Sequence, residues 1–527
     1  MMGPAGVAWA ALQLALLLLL PLALWHLVLR PRAVARSFAR QGIRGPRYTF
    51  LAGSMPEAKR LVAAGRIGVP PLDAGCHDII PLVLPQFHRW VAEYGKTFLF
   101  WIGPIPAILS LDLELIKQVL ADRTGLFPKD FMIPVLKILF GNGVILINGD
   151  DWKRHRKVVL PAFNHDKLKS MTVVTSEVTD RMIQRWRNQI QQNGSHQTAE
   201  IDMNLAFCDL TEEIIGRVAF GTSQNHPEAR EVVIAMREMQ KLGTAATMDP
   251  PILWYLPTRR NLRVRHLDKL LKTKIMSIMQ ARVAARDAKC GYGDDLVGLL
   301  LEAWSPEQKG KGETLTTQEV IDEWKTFFAA GQETTATLLV WAMFLLSVHP
   351  QWQDKVREEV LQECGSGGDD GEVFNVEVLG KLKLLHMVLL ETLRLYPPIE
   401  YIQRRAATDV VLKDISVPRG TVISIPIGML HRDKDVWGPD ADKFNPMRFQ
   451  NGISRAAKDP KALLAFSLGP RACTGQSFSI MEAQVVMAMI LSKFSFSLSP
   501  KYVHKPKYLL SLAPRSGMPL ILRNIDR

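Results

Sequence analysis

One short run carries the most chemistry. In "FSLGPRACTGQSF" (466–478), Cys473 lies between Gly469 and Gly475, with Arg471 two positions before it and Phe466 seven before it. A thiolate is a soft, strongly donating metal ligand, and a single cysteine beneath a haem pushes electron density onto iron in a way that favours O–O cleavage. Such a ligand needs shelter. Gly469 and Gly475 would let the backbone turn close to a flat macrocycle and present amide N–H groups to the sulfur, while Phe466 would cover it and Arg471 would reach a propionate. The plain alternative is a buried cysteine beside a helix start, the usual fate of a lone cysteine. Five fixed identities within ten positions arise by chance on the order of once in ten thousand chains of this length, which weighs against that alternative.

Four further stretches stand out: "WKRHR" (152–156), "AAGQETTA" (329–336), "ETLR" (391–394) and "FNPMRF" (444–449). With the cysteine run, and in this order and spacing, they resemble the signature of the cytochrome P-450 family, the haem-thiolate monooxygenases, over nearly the whole chain. The resemblance implies a mainly α fold with small β-sheets, a triangular helix-rich body holding haem between a long central helix and the cysteine loop, preceded by one transmembrane helix. It also implies haem b (iron protoporphyrin IX) with Cys473 as the axial metal ligand, O2 as co-substrate, and NADPH used indirectly. The electrons would come from a membrane-bound NADPH-cytochrome P-450 reductase, with cytochrome b5 as a second donor.

The same resemblance assigns roles to particular residues, each with a plainer reading beside it. Ala330 and Gly331 lack bulk and would let a helix pass close over a haem face. Glu333 and Thr334 would then put an acid and an alcohol where bound dioxygen needs protons. By themselves, Thr334 and Thr335 read as a helix-interior pair bonding back to carbonyls. Glu391 and Arg394, three apart, are either a surface pair worth a few tenths of a kcal/mol or, as the resemblance implies, a buried network with Arg448 that fixes the cysteine loop. Met447 stands where many relatives carry glutamate, but Arg448 is kept. Trp152 and Arg156 share a helical face suited to a propionate. Arg404 and His431 resemble further propionate contacts, with surface charge and a core-edge histidine as the alternatives.

Elements must position these residues. Apolar spacing predicts helices over 170–191, 267–289 and 316–350, the last long and running through the interior. Strand signals gather at 99–110, 409–427 and 494–523. Polar, glycine-containing stretches at 305–316 and 364–375 read as surface loops within one body.

At 527 residues, 47% hydrophobic and 22% charged, the composition is that of a globular enzyme. Five scattered cysteines, with no CxxC pair, indicate neither a disulfide framework nor a zinc cluster, so most are expected to be free core thiols. No charged residue precedes Arg30, and residues 6–29 would measure about 36 Å as a helix, enough to cross a hydrocarbon core of about 30 Å. Arg30, Arg32, Arg36, Arg40, Arg44 and Arg47 follow with no acidic residue among them, which by the positive-inside rule leaves the body cytosolic. The organisation expected is therefore a signal-anchor helix over 1–29, a basic hinge over 30–50 in which Pro31 and "GIRGP" break the helix, and a catalytic domain over 51–527, single-pass in the endoplasmic reticulum membrane. The "NGS" at 193–195 would then stay unglycosylated. The net charge of +13 is divided between membrane lipid and a basic surface of Lys153, Arg154 and Lys157 for an acidic electron donor; no aromatic platform accompanies it, so nucleic acid is not an expected partner.

The substrate is expected to be small and hydrophobic. Ile133, Val135, Leu136, Ile138, Leu139, Phe140, Phe327, Phe328, Ile399, Ile402 and the turn at Leu512–Ala513 would supply apolar walls, with Glu400 the one charge, although some of these residues could merely pack in the core. Framework stretches such as "DDWKRHRKVVLPAF" and "FSFSLSPKYVH" resemble those of plant microsomal members, most closely the cereal sub-terminal fatty-acid hydroxylases. That favours in-chain fatty-acid hydroxylation, with a cytokinin, gibberellin, brassinosteroid or terpenoid as alternatives. Two other classes remain: a haem-thiolate isomerase or dehydratase that needs no external electrons, and a haem carrier. The acid-alcohol pair at Glu333 and Thr334 speaks against both.

Overall fold

Residues 97–110, continuous apolar runs on both sides of a Gly103 turn, form the antiparallel strands Thr97–Ile102 and Ile105–Ser110. The computed structural model describes residues 17, 19–67, 70–129, 134–192, 197–221, 227–245, 254, 256–284, 286, 292, 295–304, 314–364 and 376–525. It divides into two units, the first made of 1–70, 80–131 and 401–426 and the second of 71–79, 132–400 and 427–527.

In the first unit the hairpin extends into a four-stranded sheet: Ile105–Ser110 pairs in parallel with Val422–Ile425, which pairs antiparallel with Ile402–Arg405. Val422, Ile423, Ser424 and Ile425 are all buried, so this inner strand reads as a continuous run rather than an alternation.

Among the described residues no helix is long and apolar enough to cross a membrane. Residues 1–16 and 18 of the expected anchor lie outside the described residues. The hinge expectation needs correction, because Pro31 does not break the helix. A π-helical turn, Trp25–Leu29, runs into the helix Arg30–Arg40, which ends at Gly42 with a φ of 78°. Proline cannot donate to the carbonyl four residues back. That carbonyl, Leu27 O, instead accepts from the Tyr48 hydroxyl at 2.8 Å, and the wider π turn makes room for the ring.

The second unit is built around one helix, Thr317–Val348, opened by a capping box in which Thr316 and Glu319 satisfy each other's backbone amides. From Leu338 to Leu346 it is apolar on every side, while Asp322, Glu323 and Lys325 are buried with partners, and the helix is buried along most of its length. The helices Pro134–Phe140, Met203–Phe220, Lys383–Leu395 and Gln476–Lys493 pack on it. A three-stranded sheet orders Thr198–Asp202, Pro519–Asn524 and Phe494–Leu498, and a separate hairpin pairs Pro506–Tyr508 with Leu512–Pro514.

The three helices expected from apolar spacing are observed as His165–Gln192, Arg259–Ala284 and Thr317–Val348. Strands Thr198–Asp202 and Ile402–Arg405 were not expected. Both are short: Ile402–Arg405 has no period-2 apolar signal, and Thr198–Asp202 alternates only over Ala199 and Ile201, too briefly to stand out. Residues 305–313 and 365–375 of the expected loops, and the 193–195 triplet, lie outside the described residues.

The loop between Phe140 and the helix Gly149–Val159 presses directly on the central helix. Thr326 Oγ1 donates to Phe140 O at 2.6 Å, and Val144 N donates to Glu323 Oε1 at 2.7 Å. A Cβ on Gly143 would stand 2.1 Å from Thr326 Oγ1. Gly143→Ala should therefore destabilise the protein by about 1–3 kcal/mol, read as a lowered melting temperature. Adding Thr326→Ala should recover part of the loss, and strict additivity of the two would show that the contact does not exist.

Candidate functional site

The cysteine run folds as a tight turn. Ser467 and Gly469 take positive φ values of 63° and 74°, Gly469–Arg471 forms a single 3-10 turn, and Cys473 leads into the helix Gln476–Lys493. Cys473 N–H donates to Phe466 O at 3.0 Å and Ala472 N–H to Gly469 O at 3.1 Å, so both amides are engaged within the turn. Cys473 is exposed, unlike the buried cysteine of the plainer reading. Cys76, Cys208 and Cys364 are free and half-buried, and burial pushes the Cys208 thiol up to about 12 and the Cys364 thiol up to about 11.

Gly475 differs from expectation. Its φ is −90°, which any residue adopts, and a Cβ there would meet only Phe163 Cε1 at 3.9 Å, an ordinary contact. Backbone conformation and the neighbouring chain therefore do not demand glycine at 475.

The helix Gly149–Val159 brings two expected residues, Trp152 and Arg156, to this turn. Trp152 and Arg156, four apart, share one face, and the Arg156 guanidinium carbon sits 5.5 Å from the Trp152 ring centre. Arg471 covers the ring at 4.6 Å. Arg156 Nη1 donates to Ala472 O at 3.2 Å, and Arg471 Nη2 donates to Ile147 O at 2.6 Å and to Asn148 Oδ1 at 3.3 Å. Burial lowers the proton affinity of Arg156, opposed by the nearby Cys473 sulfur. Two guanidiniums gathered around one indole beside a sulfur suit an anionic group that would share their charge.

Of the basic surface expected from Lys153, Arg154 and Lys157, Lys153 and Lys157 are exposed, and only Arg154 is corrected. Arg154 turns inward to Thr314 O at 2.7 Å and to Glu319, and Lys153 pairs with Asp150 at 2.8 Å. Between them His155, 1% exposed, reaches Glu323 at 2.6 Å and Glu319 at 3.2 Å. Burial disfavours the imidazolium, but the two carboxylates outweigh it and raise the His155 pKa. Sequence reasoning missed this lock between the Trp152 helix and the central helix, although His155, Val158 and Val159 fall on the helix's buried face at helical spacing.

On the central helix, every residue from Val320 to Leu346 is buried except Ala330, Gly331, Glu333 and Thr334. The four sequence-chosen residues border the one opening along that stretch. Thr334 Oγ1 donates to Ala330 O at 2.7 Å, the back-bonding arrangement of the plainer reading, and its oxygen keeps lone pairs to accept. A Cβ on Gly331 would lie 2.9 Å from Ile215 Cδ1 on the neighbouring helix Met203–Phe220, the tip of a side chain that can shift, so this contact alone does not require glycine. Glu333 Oε1 accepts from Ser511 Oγ at 2.6 Å, and burial raises its pKa while that hydrogen bond lowers it. Ser511 was not found from sequence; it lies 178 residues away with no local motif to mark it.

The structure brings Glu391, Arg394 and Arg448 together. Arg394 and Glu391 form a bidentate pair at 2.7 Å in both bonds, fully buried, with Arg448 Nε 3.8 Å from Glu391. Arg448 also donates to Trp437 O at 2.8 Å and to Asp440 Oδ2 at 2.8 Å.

His431 is corrected as a cofactor contact. Its Nδ1 donates to Arg394 O at 3.0 Å and its Nε2 accepts from Leu464 N–H at 2.9 Å, so neither ring nitrogen is left for a propionate. Burial, followed by the Arg394 charge, lowers its pKa to about 3, and the ring stays neutral. Arg404 belongs to the first unit, on the strand Ile402–Arg405; it is 4% exposed, donates to Gln403 O at 2.8 Å, and burial lowers its pKa to about 10.

A thiol on an exposed turn bracketed by guanidiniums, followed by an interior opening lined by an acid and an alcohol, is the donor set of a haem-thiolate oxygenase. The chain belongs to the cytochrome P-450 family, whose profile matches residues 83–519. It is similar to cytochrome P-450 709B3 of Arabidopsis thaliana, 42% identical over 502 residues and 95% of each chain. It is also similar to cytochrome P-450 734A6 of Oryza sativa subsp. japonica, 39% identical over 94% of this chain and 92% of that protein. An 11-oxo-beta-amyrin 30-oxidase of Glycyrrhiza uralensis is 35% identical over 99% of both. The chain is thus a plant-type cytochrome P-450 monooxygenase that uses haem-thiolate iron, O2 and electrons from a reductase, and it acts on a hydrophobic substrate.

His431→Ala would leave the Leu464 amide and the Arg394 carbonyl buried without their partner, at a cost of about 1–3 kcal/mol for each group. The variant should melt at lower temperature even when its haem content is matched to wild type. A variant that melts normally and only binds haem more weakly would restore the propionate role.

Proposed function

We propose that Cys473 supplies the axial thiolate, that Trp152, Arg156 and Arg471 hold the propionates, and that Glu333 and Thr334 keep protons beside the dioxygen site. The observation that carries this reading is the break in burial on the central helix, which falls on Ala330, Gly331, Glu333 and Thr334 and nowhere else between Val320 and Leu346. When bound, haem supplies the electron and oxygen chemistry that places one oxygen atom on carbon. The chain's part is to brace the sulfur, balance the propionates with guanidinium charge, and hold proton-bearing groups in an otherwise apolar wall.

The substrate proposed first is a fatty acid hydroxylated at an in-chain carbon. Two features support it: the resemblance of framework segments to in-chain fatty-acid hydroxylases, and the apolar character of the residues expected to wall the pocket, among them Leu139, Phe327 and Phe328. Ile133 lies outside the described residues. A terpenoid is the second reading, favoured by the relative named for oxidation of 11-oxo-β-amyrin. The same proposal includes an anchor over 1–29, a basic segment over 30–50 and a catalytic body over 51–527, held in the endoplasmic reticulum membrane with the body cytosolic. Lipid and cytochrome b5 are its further partners. The uncharged run before Arg30 and the six arginines after it support that orientation.

Cys473→Ser should abolish the ferrous carbon monoxide band and reductase-driven turnover, and retention of both would overturn the thiolate assignment. For substrate, the wild-type haem protein is titrated with fatty acids, 11-oxo-β-amyrin, cytokinins, gibberellins and steroids. A high-spin Soret shift with fatty acids, and labelled oxygen recovered at an in-chain carbon, is the expected result. A shift confined to the amyrin or a hormone would replace the fatty-acid reading.

A further inference from the structure

The Glu333 carboxyl group does not hang freely in the opening of the central helix. Ser511 Oγ donates to its Oε1 at 2.6 Å, and Ser511 is itself only 6% exposed. Ser511 sits at the tip of the hairpin Pro506–Tyr508/Leu512–Pro514, and the next residue is clamped from both sides: Leu512 N–H donates to Pro398 O at 3.0 Å, and Trp341 Nε1 donates to Leu512 O at 3.0 Å. Leu512 and Trp341 are wholly buried, so moving the tip would break buried hydrogen bonds. Trp341 and Glu333 lie on the same helix, about 12 Å apart along its axis. The hairpin tip therefore grips the central helix at two levels.

We propose that Ser511 is the positioning residue for Glu333: its hydroxyl engages Oε1 and leaves Oε2 as the atom that carries the proton presented to the opening. The proposal rests on the reading of Glu333 as the site's acid. Ser511 touches no reacting atom and acts through the carboxyl group alone.

The electrostatic surroundings support this division. Burial raises the Glu333 pKa, and the Ser511 hydrogen bond is the influence that opposes it. From the helix Met203–Phe220, Cys208 faces the carboxyl group; its thiol, pushed up to about 12 by burial and by Glu333, stays neutral at working pH. Arg237, with Asp209 and Glu212, acts on Cys208. On the central helix Thr334 Oγ1 donates to Ala330 O at 2.7 Å, and Thr335 is engaged with Ser479 at 3.2 Å. With the serine hydroxyl removed, burial is unopposed and the carboxyl group holds its proton to higher pH.

The test uses the full-length haem protein in detergent. Infrared difference spectra locate the carbonyl stretch of protonated Glu333 as the band lost in Glu333→Gln. In Ser511→Ala this band should move to higher frequency, as expected for a lost hydrogen bond, and should persist to higher pH than in wild type. Ser511→Thr, which keeps the hydroxyl, should restore both. With reductase, NADPH and dodecanoic acid as probe, Ser511→Ala should release about tenfold more peroxide per NADPH consumed, less than the roughly 100-fold or more that a general acid itself contributes, since the acid stays in place. Ser511→Thr also serves as the folding control, since a threonine variant that keeps the carbon monoxide band but has the alanine spectrum overturns the proposal. An unchanged band and titration in Ser511→Ala overturns it as well, whatever Glu333→Gln does. Fully coupled turnover by Glu333→Gln instead sinks the acid reading and leaves the Ser511 contact standing.

Discussion

A guanidinium with no exposed surface has to find partners for five N–H groups, and Arg394 finds all of them. Nε and one Nη2 bond go to Glu391, Nη1 reaches the carbonyls of His431 and Ala441, and Nη2 reaches that of Lys443. A buried ion pair costs several kcal/mol to desolvate, so its value lies less in net stability than in the geometry it enforces. Here it ties the helix Lys383–Leu395 to three points between 431 and 443. His431 passes that constraint onward, accepting from Leu464 N–H just as the chain enters the cysteine turn, where Ser467 N–H returns to Leu464 O at 2.8 Å. The sulfur's position is thus referred back, bond by bond, to one buried cation.

The chain's positive balance reads differently once its arginines are placed. A net +13 suggests a broad basic surface, yet Arg394, Arg404 and Arg448 are under a tenth exposed. Arg154 is spent on a helix cap and on Thr314 O. Long side chains with forked donors are used to tie backbone carbonyls together across hundreds of residues, which Lys cannot do with a single point of charge. Net charge is therefore a poor guide to where a redox partner docks on this protein.

What could be read from the chain is what depends on local pattern. The cysteine turn, the Trp152–Arg156 face, the opening at 330–334 and the Glu391–Arg394 pair are each set by residues within one or two helical turns, and their types and spacing mark them. Three features could not be read in the same way. His431 was assigned to the wrong partner because an imidazole beside arginines suits a propionate as well as two backbone groups, and only the approach of Leu464 decides between them. Ser511 carries no motif, since a hydroxyl becomes meaningful only when a distant carboxyl group meets it. A proline reads as a breaker by a rule that holds for α-helix interiors, whereas Pro31 stands in the first turn of its helix and the Tyr48 hydroxyl meets the carbonyl that proline cannot.

The two sides of the site are built on opposite electrostatic principles. Around Cys473 the chain gathers cations, with Arg156 and Arg471 on either side of Trp152, and such a setting stabilises negative charge on sulfur. At the opening of the central helix, burial raises the pKa of Glu333, and a neutral hydroxyl rather than a cation meets it. A cation there would fix the carboxylate as an anion, and a permanently ionised acid has no proton to give. The burial around Glu333 is thus more than core filling, because the same burial that raises its pKa keeps the carboxyl group capable of holding a proton.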